Sequence, residues 1–440
     1  MGAIPENLQS ILRTLSDFGH KGWCVGGCVR DTLLGRMPGD WDVATSARPK
    51  EVLDIFAPRA IPTGLQHGTV TVVTDQGRVE VTTLRRDGSY GDHRHPDQVS
   101  FTDSLEEDLS RRDFTVNAMA MGLDGVVIDP FGGETDLHRG VLRCVGEPVL
   151  RLQEDALRIM RALRFASVLS FAIDGETAAA VHREKESLRQ IAVERIAVEL
   201  GKLLCGESAA EVLLTYPDVL GVVLPEILPA VGFDQRNSHH CYDVWEHTVR
   251  AVSAAPRNLL LRYALLFHDL GKPETFSMDE QGVGHFYGHG KRSAEMAEAA
   301  CRRLRLDNDS RETIVLLVRL HDAEILATEK SIRRMLRRIG EERLRLLLQM
   351  KRCDNLAQHP DYHGRQRTID QLEVLLDMVL RQELCFSLKQ LAVKGNDLTD
   401  MGLSGPAVGR ALNTLLDLVV EERLPNDRPT LLAYVKEELL

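Results

Sequence analysis

The stretch VGGCVRDTLLGRMPGDWDVAT, Val25 to Thr45, decides how this chain is read. It has the order strand, Gly-Gly turn, helix, loop, strand. GWCV is a short apolar strand, Gly26 and Gly27 punctuate it, and CVRDTLLG follows as a helix ended by Gly35. The second strand, DWDVAT, places Asp40 and Asp42 one residue apart. Side chains at i and i+2 of a strand share a face, so two like charges there repel and require a cation between them, a metal or an arginine. Gly26 and Gly27 let the backbone approach a ligand closely, and amides that open a helix suit an anion such as a triphosphate. Arg30, one turn into that helix, adds a bidentate phosphate contact. Carboxylates prefer Mg²⁺, and Mg²⁺ favours a site shared with substrate phosphates. Two such ions about 4 Å apart activate an attacking hydroxyl and stabilise the departing oxygen. A Gly-Gly pair by itself is usually only a turn, and a lone DxD only a solvated edge. Their ordered combination within one short segment points to a joint metal and anion site. Neither GxxxxGK[ST] nor GxGxxG occurs, so neither a P-loop nor a Rossmann site is expected.

The surrounding chain sets the frame. It has 440 residues, which suggests two to four domains, and 43% of them are apolar, enough for real cores. The apolar runs fall short of the roughly eighteen residues that a membrane helix needs, and the first residues do not read as a signal peptide. The eight cysteines are scattered, which fits reduced thiols and a cytoplasmic location. A net charge of −11 argues against non-specific polyanion binding, although a local basic face can override it.

Residues 1–140 mix strand and helix signals, with GTVTVVTDQGRVEVTTL as a hairpin turned at DQG. After about residue 150 the strand signals give way to leucine and alanine at helical spacing. The expected fold is therefore α+β, a small mixed-sheet head followed by an elongated helical remainder. Pro- and Gly-rich joints lie near residues 220 and 360. The polar loop RRDGSYGDHRHPDQ, 85–98, reads as mobile.

The opening stretch, continued by PTGLQHGTVTVV, EVTTLRRDG, EEDLSRRDFTVNAMA, DPFGGETDL and EDALRIMRALRFA in that order, resembles the class II tRNA nucleotidyltransferases. That family includes CCA-adding enzymes and bacterial poly(A) polymerases. The resemblance is dense over residues 20–170. It implies a five-stranded head of the polymerase-β type at 1–140, a helical neck at 141–220, a body at 221–360 and a tail at 361–440. It also implies addition of C, C and A to the 3′ end of tRNA from CTP and ATP without a template. Asp40 and Asp42 would hold Mg²⁺, and Gly27, Arg30 and Arg112 would hold the triphosphate. Asn117 would hold the sugar or a local turn. Glu80 reads equally as a third metal carboxylate and as one half of a cross-strand ion pair.

EDALRIMRALRFA is expected as one helix, with Asp155, Arg158, Arg161 and Arg164 spaced by three along one side. Such a row is usually a solvated salt-bridge face. The helix is otherwise apolar, so here the row lines a cleft. In the resembling family this helix reads the incoming base. The carboxylate of Asp155 only accepts hydrogen bonds and suits the exocyclic amine of cytosine or adenine; Arg158 only donates. A pairing of that kind rejects the wrong base on the order of 10⁴-fold.

A second constellation follows. His247, the pair His268–Asp269, and Asp354 stand in the H…HD…D order of the HD phosphohydrolases, with His289 and His321 between them. Imidazole with carboxylate suits Mn²⁺, Ni²⁺, Co²⁺ or Fe²⁺. Lys330 to Arg352 holds nine basic residues and is expected as an amphipathic RNA-facing helix pair. The tail around GPAVG resembles the part of such enzymes that grips the outer corner of tRNA. The rivals are a poly(A) polymerase, a partial CC- or A-adding enzyme, and an HD phosphohydrolase with a nucleotide-sensing head. Oligomeric state is left open.

Overall fold

The computed structural model describes residues 4–88, 99–237, 241–382 and 385–440. The loop expected to be mobile lies mostly outside them. The chain forms two compact units, Met1–Pro225 and Glu226–Leu440.

The first unit is built on a mixed sheet. β1 (Gly22–Val25), β2 (Asp42–Thr45), β3 (Ala60–Gly64), β4 (Thr69–Thr74), β5 (Gly77–Thr83), β6 (Ala120–Met121) and β7 (Val127–Ile128) line up in the order β3-β4-β5-β2-β1-β6-β7. The sheet is α+β as expected, with seven strands where five were implied. The two extra pieces are the short β6 and β7, too brief to leave an alternating pattern. The β-branched run in β4 and β5 pairs antiparallel from Thr69–Thr82 to Thr74–Gly77, the hairpin read from the sequence. Val70, Val72, Val79 and Val81 point inward and are buried, while Glu80 lies on the open face.

One expectation about β2 needs correction. The strand begins at Asp42; Asp40 lies in the bend before it and is exposed. Pro38 and Gly39 precede it and disfavour a longer strand, and Asp42 is the first residue to find a partner, pairing in parallel register with Glu80. The two aspartates are therefore brought together by a bend and not by the period of a strand.

A helix α1 (Glu6–Asp17) packs Leu8, Ile11, Leu12 and Leu15 inward. α2 (Gly27–Leu33) connects β1 to β2. Beneath these lies a core of Val25, Ala44, Leu84, Leu109, Ala118, Ala120 and Val145. Leu84 is fully buried there, and its truncation to alanine would cost about 2–5 kcal/mol. The helical part of this unit contains α3 (Pro148–Glu154), α4 (Leu157–Leu169) and α5 (Val193–Leu204). Strand structure does not end at 150: Val141–Leu142 pairs in parallel with Ala172–Ile173.

The second unit is almost wholly helical. It contains α6 (Val244–Ala254), α7 (Leu259–Phe267), α8 (His289–Arg303), α9 (Asn308–Leu320), α10 (Glu329–Ile339), α11 (Glu341–Leu356), α12 (Arg365–Arg381) and α13 (Pro406–Val420). Among the described residues its strands are the pair Ser277–Met278 and Gly284–His285. Side-chain caps at Asp243, Asn258, Asp307 and Thr328 accept the orphan amides that open α6, α7, α9 and α10.

Candidate functional site

A cavity of about 450 Å³ opens in the first unit, with Gly26, Gly27, Arg30, Asp42, Arg112, Asp155, Arg158, Arg161 and Arg164 in its wall. Most head residues singled out in the sequence therefore meet in one place, although Asp40 and Glu80 are not in the wall. Gly26 is required there by geometry. Its φ is +79°, and a Cβ would stand 2.6 Å from Nη1 of Arg112.

Asp42 carries the strongest sign of a cation site. Burial, then the neighbouring Glu80, push its carboxyl above the usual carboxylate value; Arg112 opposes this and Asp40 adds to it. Asp42 lines the cavity, while Asp40 and Glu80 stand close enough to act on it from outside the wall, with the Arg112 guanidinium opposing them. Mg²⁺ fits such a set, because it takes one or two carboxylates and completes its shell with water and substrate phosphate.

The cationic wall is held in place by its own hydrogen bonds. Arg30 donates to Asn117 Oδ1 at 2.6 Å and to Asp31 at 2.9 Å. Asn117 in turn donates to Asp113, so its place in the structure is a bridge between Arg30 and Asp113. Asp113 is buried and bonds Arg161 at 2.8 Å. Burial alone would raise its pKa, but the Arg161 charge and the Asn117 bond hold it well below the usual carboxylate range. Arg164 pairs with Glu199 at 2.7 Å. The ring of Phe165 carries guanidinium groups of Arg164 at 3.6 Å, Arg30 at 5.0 Å and Arg161 at 5.3 Å.

The expected single helix over EDALRIMRALRFA is interrupted. Asp155 is extended, with φ −139° and ψ 103°, between α3 and α4. Its Oδ1 accepts the amide of Leu157 at 3.0 Å, the local bond by which aspartate competes with helix continuation. Arg158, Arg161 and Arg164 do lie on α4. Arg158 is committed to Glu154 at 2.5 Å and to the carbonyls of Arg151 and Arg111 at 2.8 and 3.0 Å.

Sequence reading missed Arg195, Glu199, Asp113 and Phe165. Arg195 and Glu199 stand four apart on α5, so they share its face. Arg195 reaches Asp155 Oδ2 at 3.3 Å, and Glu199 holds Arg164. The available signal was VERIAVELGKLL, a helix with a charged pair at i and i+4 on an otherwise apolar face.

In the second unit the six expected residues come together in two groups of three: His247, His268 and Asp354, and Asp269, His289 and His321. Within each group the donor atoms lie within 4.8 Å of one another. Asp269 faces both groups, with Oδ2 3.3 Å from His247 and from His268, and Oδ1 3.4 Å from His289. The helices explain the convergence. His268 and His321 follow the ends of α7 and α9, His289 opens α8, and Asp354 is near the end of α11. Nδ1 of His268 bonds the Leu265 carbonyl and Nδ1 of His321 bonds that of Val318, each at 2.7 Å, so both present Nε2. Burial lowers the basicity of His268, but Asp269 and Asp354 more than offset it and carry its pKa up to about 10. A divalent cation in place of that proton matches this donor set of imidazole and carboxylate.

The basic stretch behaves differently from its RNA-facing reading. Arg333 pairs with Glu422, Arg334 with Glu421, Arg337 with Asp417, Arg343 with Asp309, Arg345 with Asp377 and Arg352 with Asp370. Lys330 and Lys351 donate to backbone carbonyls. Its charge mainly ties helices of this unit together, and Arg338 is the member without a hydrogen bond or ion pair among the described residues.

Comparison with known proteins places this geometry. The model for the poly A polymerase head domain matches residues 22–143, that for the RNA and SrmB-binding site of polymerase A matches 170–230, and tRNA nucleotidyltransferase domain 2 matches 276–435. The chain is 35% identical to the CCA-adding enzyme of Levilactobacillus brevis over 99% of both proteins. It is 50% identical to that of Anoxybacillus flavithermus, where the matched stretch spans 50% of this chain and about half, 55%, of the relative. The crystal structure of the Bacillus stearothermophilus CCA-adding enzyme in complex with CTP superposes with a TM-score of 0.72 at 31% identity, covering 98% of this chain and 96% of that one. None of the described helices is long and apolar enough to cross a membrane. By full-length identity, matched domains and shared architecture, the chain belongs to the family of CCA-adding tRNA nucleotidyltransferases.

Proposed function

We propose that this protein extends the 3′ end of tRNA with C, C and A, using CTP and ATP and releasing pyrophosphate. One observation carries the reading: Asp42 of β2, guanidinium groups from α2 and α4, and Asp155 line one cavity, with Glu80 of β5 paired in register with Asp42. The terminal ribose hydroxyl attacks the α-phosphorus, a new P–O bond forms, and the bond to the β-phosphate bridging oxygen breaks. Asp40 and Asp42 would hold Mg²⁺, with Glu80 paired in register with Asp42; the ion would supply charge neutralisation at the triphosphate. Gly27 admits the phosphates against the backbone, and Arg30 and Arg112 hold them. Asp155 accepts from the amine of cytosine or adenine. Arg158 holds the end of α3 from which Asp155 projects, and Arg161 and Arg164 seat the nucleotide beside Phe165. Labelled CTP and ATP with tRNA lacking CCA, followed by sequencing of the product ends, tests the reading and separates it from poly(A) or partial addition. The head, neck, body and tail division at 140, 220 and 360 belongs to this reading, as does a cytoplasmic site of action.

A second reading is favoured by the two three-donor groups around Asp269. We propose a metal-dependent phosphohydrolase there, loaded with Mn²⁺, Ni²⁺, Co²⁺ or Fe²⁺. His247, His268 and Asp354 hold one ion, His289 and His321 the other, and Asp269 faces both. The ions would lower the pKa of bound water and polarise a phosphoryl oxygen. Lys272, at 2.7 Å from Asp269, orients that carboxylate.

A further inference from the structure

Two cavities meet at the metal-ligand groups, which contribute Asp354 and His321 to the walls of both. One, of about 340 Å³, is walled by Lys272, His285 and Tyr287; the other, of about 360 Å³, by Ile325, Lys351, Thr368 and Leu372. His321, Asp322, Asp354, Gln358 and Arg365 belong to both walls. A phosphate seated against Asp354 and His321 thus has room for a substituent on each side. The exposed guanidinium of Arg365 borders both spaces and has no hydrogen bond or ion pair among the described residues, so it is available to a phosphate oxygen.

The two spaces differ in character. In the first, Tyr287 is 78% exposed, and its ring lies parallel to that of His285, 9° apart with centroids at 5.4 Å. His285 is itself fixed by Asp279 at 2.8 Å. A rigid, solvent-facing aromatic pair at the wall of a phosphate-sized cleft is a platform for a nucleobase. The second space has an apolar floor of Ile325, Ile369 and Leu372, all buried, with the exposed Thr368 at its edge. A phosphomonoester or a 2′,3′-cyclic phosphate would fill one side only.

Building on the phosphohydrolase reading of this site, we infer that its substrate is a linear phosphodiester, with a nucleoside stacked on Tyr287 and the second ester substituent in the cavity beside Thr368. In the step itself water oxygen forms the new P–O bond. The P–O bond to one ester oxygen breaks, and that oxygen takes the proton the water loses, giving a phosphomonoester and an alcohol.

The experiment uses the full chain with saturating CTP to occupy the head. Affinities for the phosphorothioate dinucleotide ApsA and for adenosine 3′-monophosphate are measured by calorimetry on wild type, Tyr287→Ala and Thr368→Trp. Turnover of ApA, adenosine 3′-monophosphate and adenosine 2′,3′-cyclic phosphate is measured on the Mn²⁺-loaded protein. Thr368→Trp should weaken ApsA about ten-fold while leaving the monophosphate within about two-fold; Tyr287→Ala should weaken both by about five-fold or more. ApA should be the best of the three substrates. Equal effects of Thr368→Trp on both ligands, or preferred turnover of the monoester or cyclic phosphate, overturns the diester assignment and leaves the phosphohydrolase reading standing. A protein that retains no metal and cleaves none of the three removes both.

Discussion

Arg195 on α5 places its guanidinium 3.3 Å from Oδ2 of Asp155, while Oδ1 of the same carboxylate accepts the Leu157 amide at 3.0 Å. Both oxygens thereby have a fixed partner, which orients the carboxylate at the cavity wall. If Asp155 reads the base as proposed, Arg195 acts on selection through it. Arg195→Ala should lower discrimination of CTP over UTP by about ten-fold or more, and Asp155→Ala should let UTP compete outright. Single-nucleotide incorporation with each NTP measures this. An unchanged CTP-to-UTP ratio in both variants would show that these groups do not read the base.

Asp113 gives a pH-dependent prediction. Its carboxyl is held below the usual range by Arg161 and Asn117, despite burial. A depressed folded-state pKa contributes stability that is present above the unfolded value, near 4, and is lost as pH falls below it. Asp113→Asn leaves Arg161 without its buried partner and should cost about 3–5 kcal/mol at pH 7. The gap to wild type should narrow as the pH is taken below about 4. Denaturant titrations at pH 7 and at about pH 2 compare the two; a gap independent of pH would contradict the assignment.

The helical body yields a prediction about which cations meet RNA. Arg334 is paired with Glu421 at an exposed site, so Arg334→Ala should lower the melting temperature by no more than about 2 °C and leave tRNA affinity within about two-fold. Arg338, exposed at the end of α10, should behave in the opposite way. Arg338→Ala should weaken tRNA binding and reduce the salt slope by about one, with little change in melting. Filter binding across a salt series distinguishes them.

Much of this was legible in the sequence, for physical reasons that differ by element. The β4–β5 hairpin declares itself by β-branched residues around a DQG turn, and the metal-type groups of the second unit by six chemically rare residues in a fixed order. What escaped depends on contacts across sequence. The Asp155 break is invisible to helical periodicity, because the residues on either side keep the apolar pattern and only a local side-chain bond interrupts it. Arg195 and Glu199 resemble any surface pair until α5 is laid beside α4. The basic run from Lys330 to Arg352 misleads because composition records the cations nearby and omits acids such as Glu421 and Asp417, eighty or more residues away.

Removal of metal from the second unit gives a separate expectation. His268→Ala should abolish retention of the ion held by His247, His268 and Asp354 and any phosphate release it supports, while CCA addition stays within about two-fold of wild type. Metal content by mass spectrometry and the two activities on the same preparation check this. Loss of both activities together would mean that the sites are not independent.

The most direct measurement concerns the acids of the head. With tRNA lacking its CCA end, CTP, ATP and Mg²⁺, the rate of 3′ extension is compared between wild type and the variants Asp40→Ala and Asp42→Ala. Extension should fall by about a thousand-fold or more in each, with CTP still bound by the intact arginine wall. Extension at the wild-type rate in either variant would contradict the assignment of these carboxylates to the metal that supports transfer.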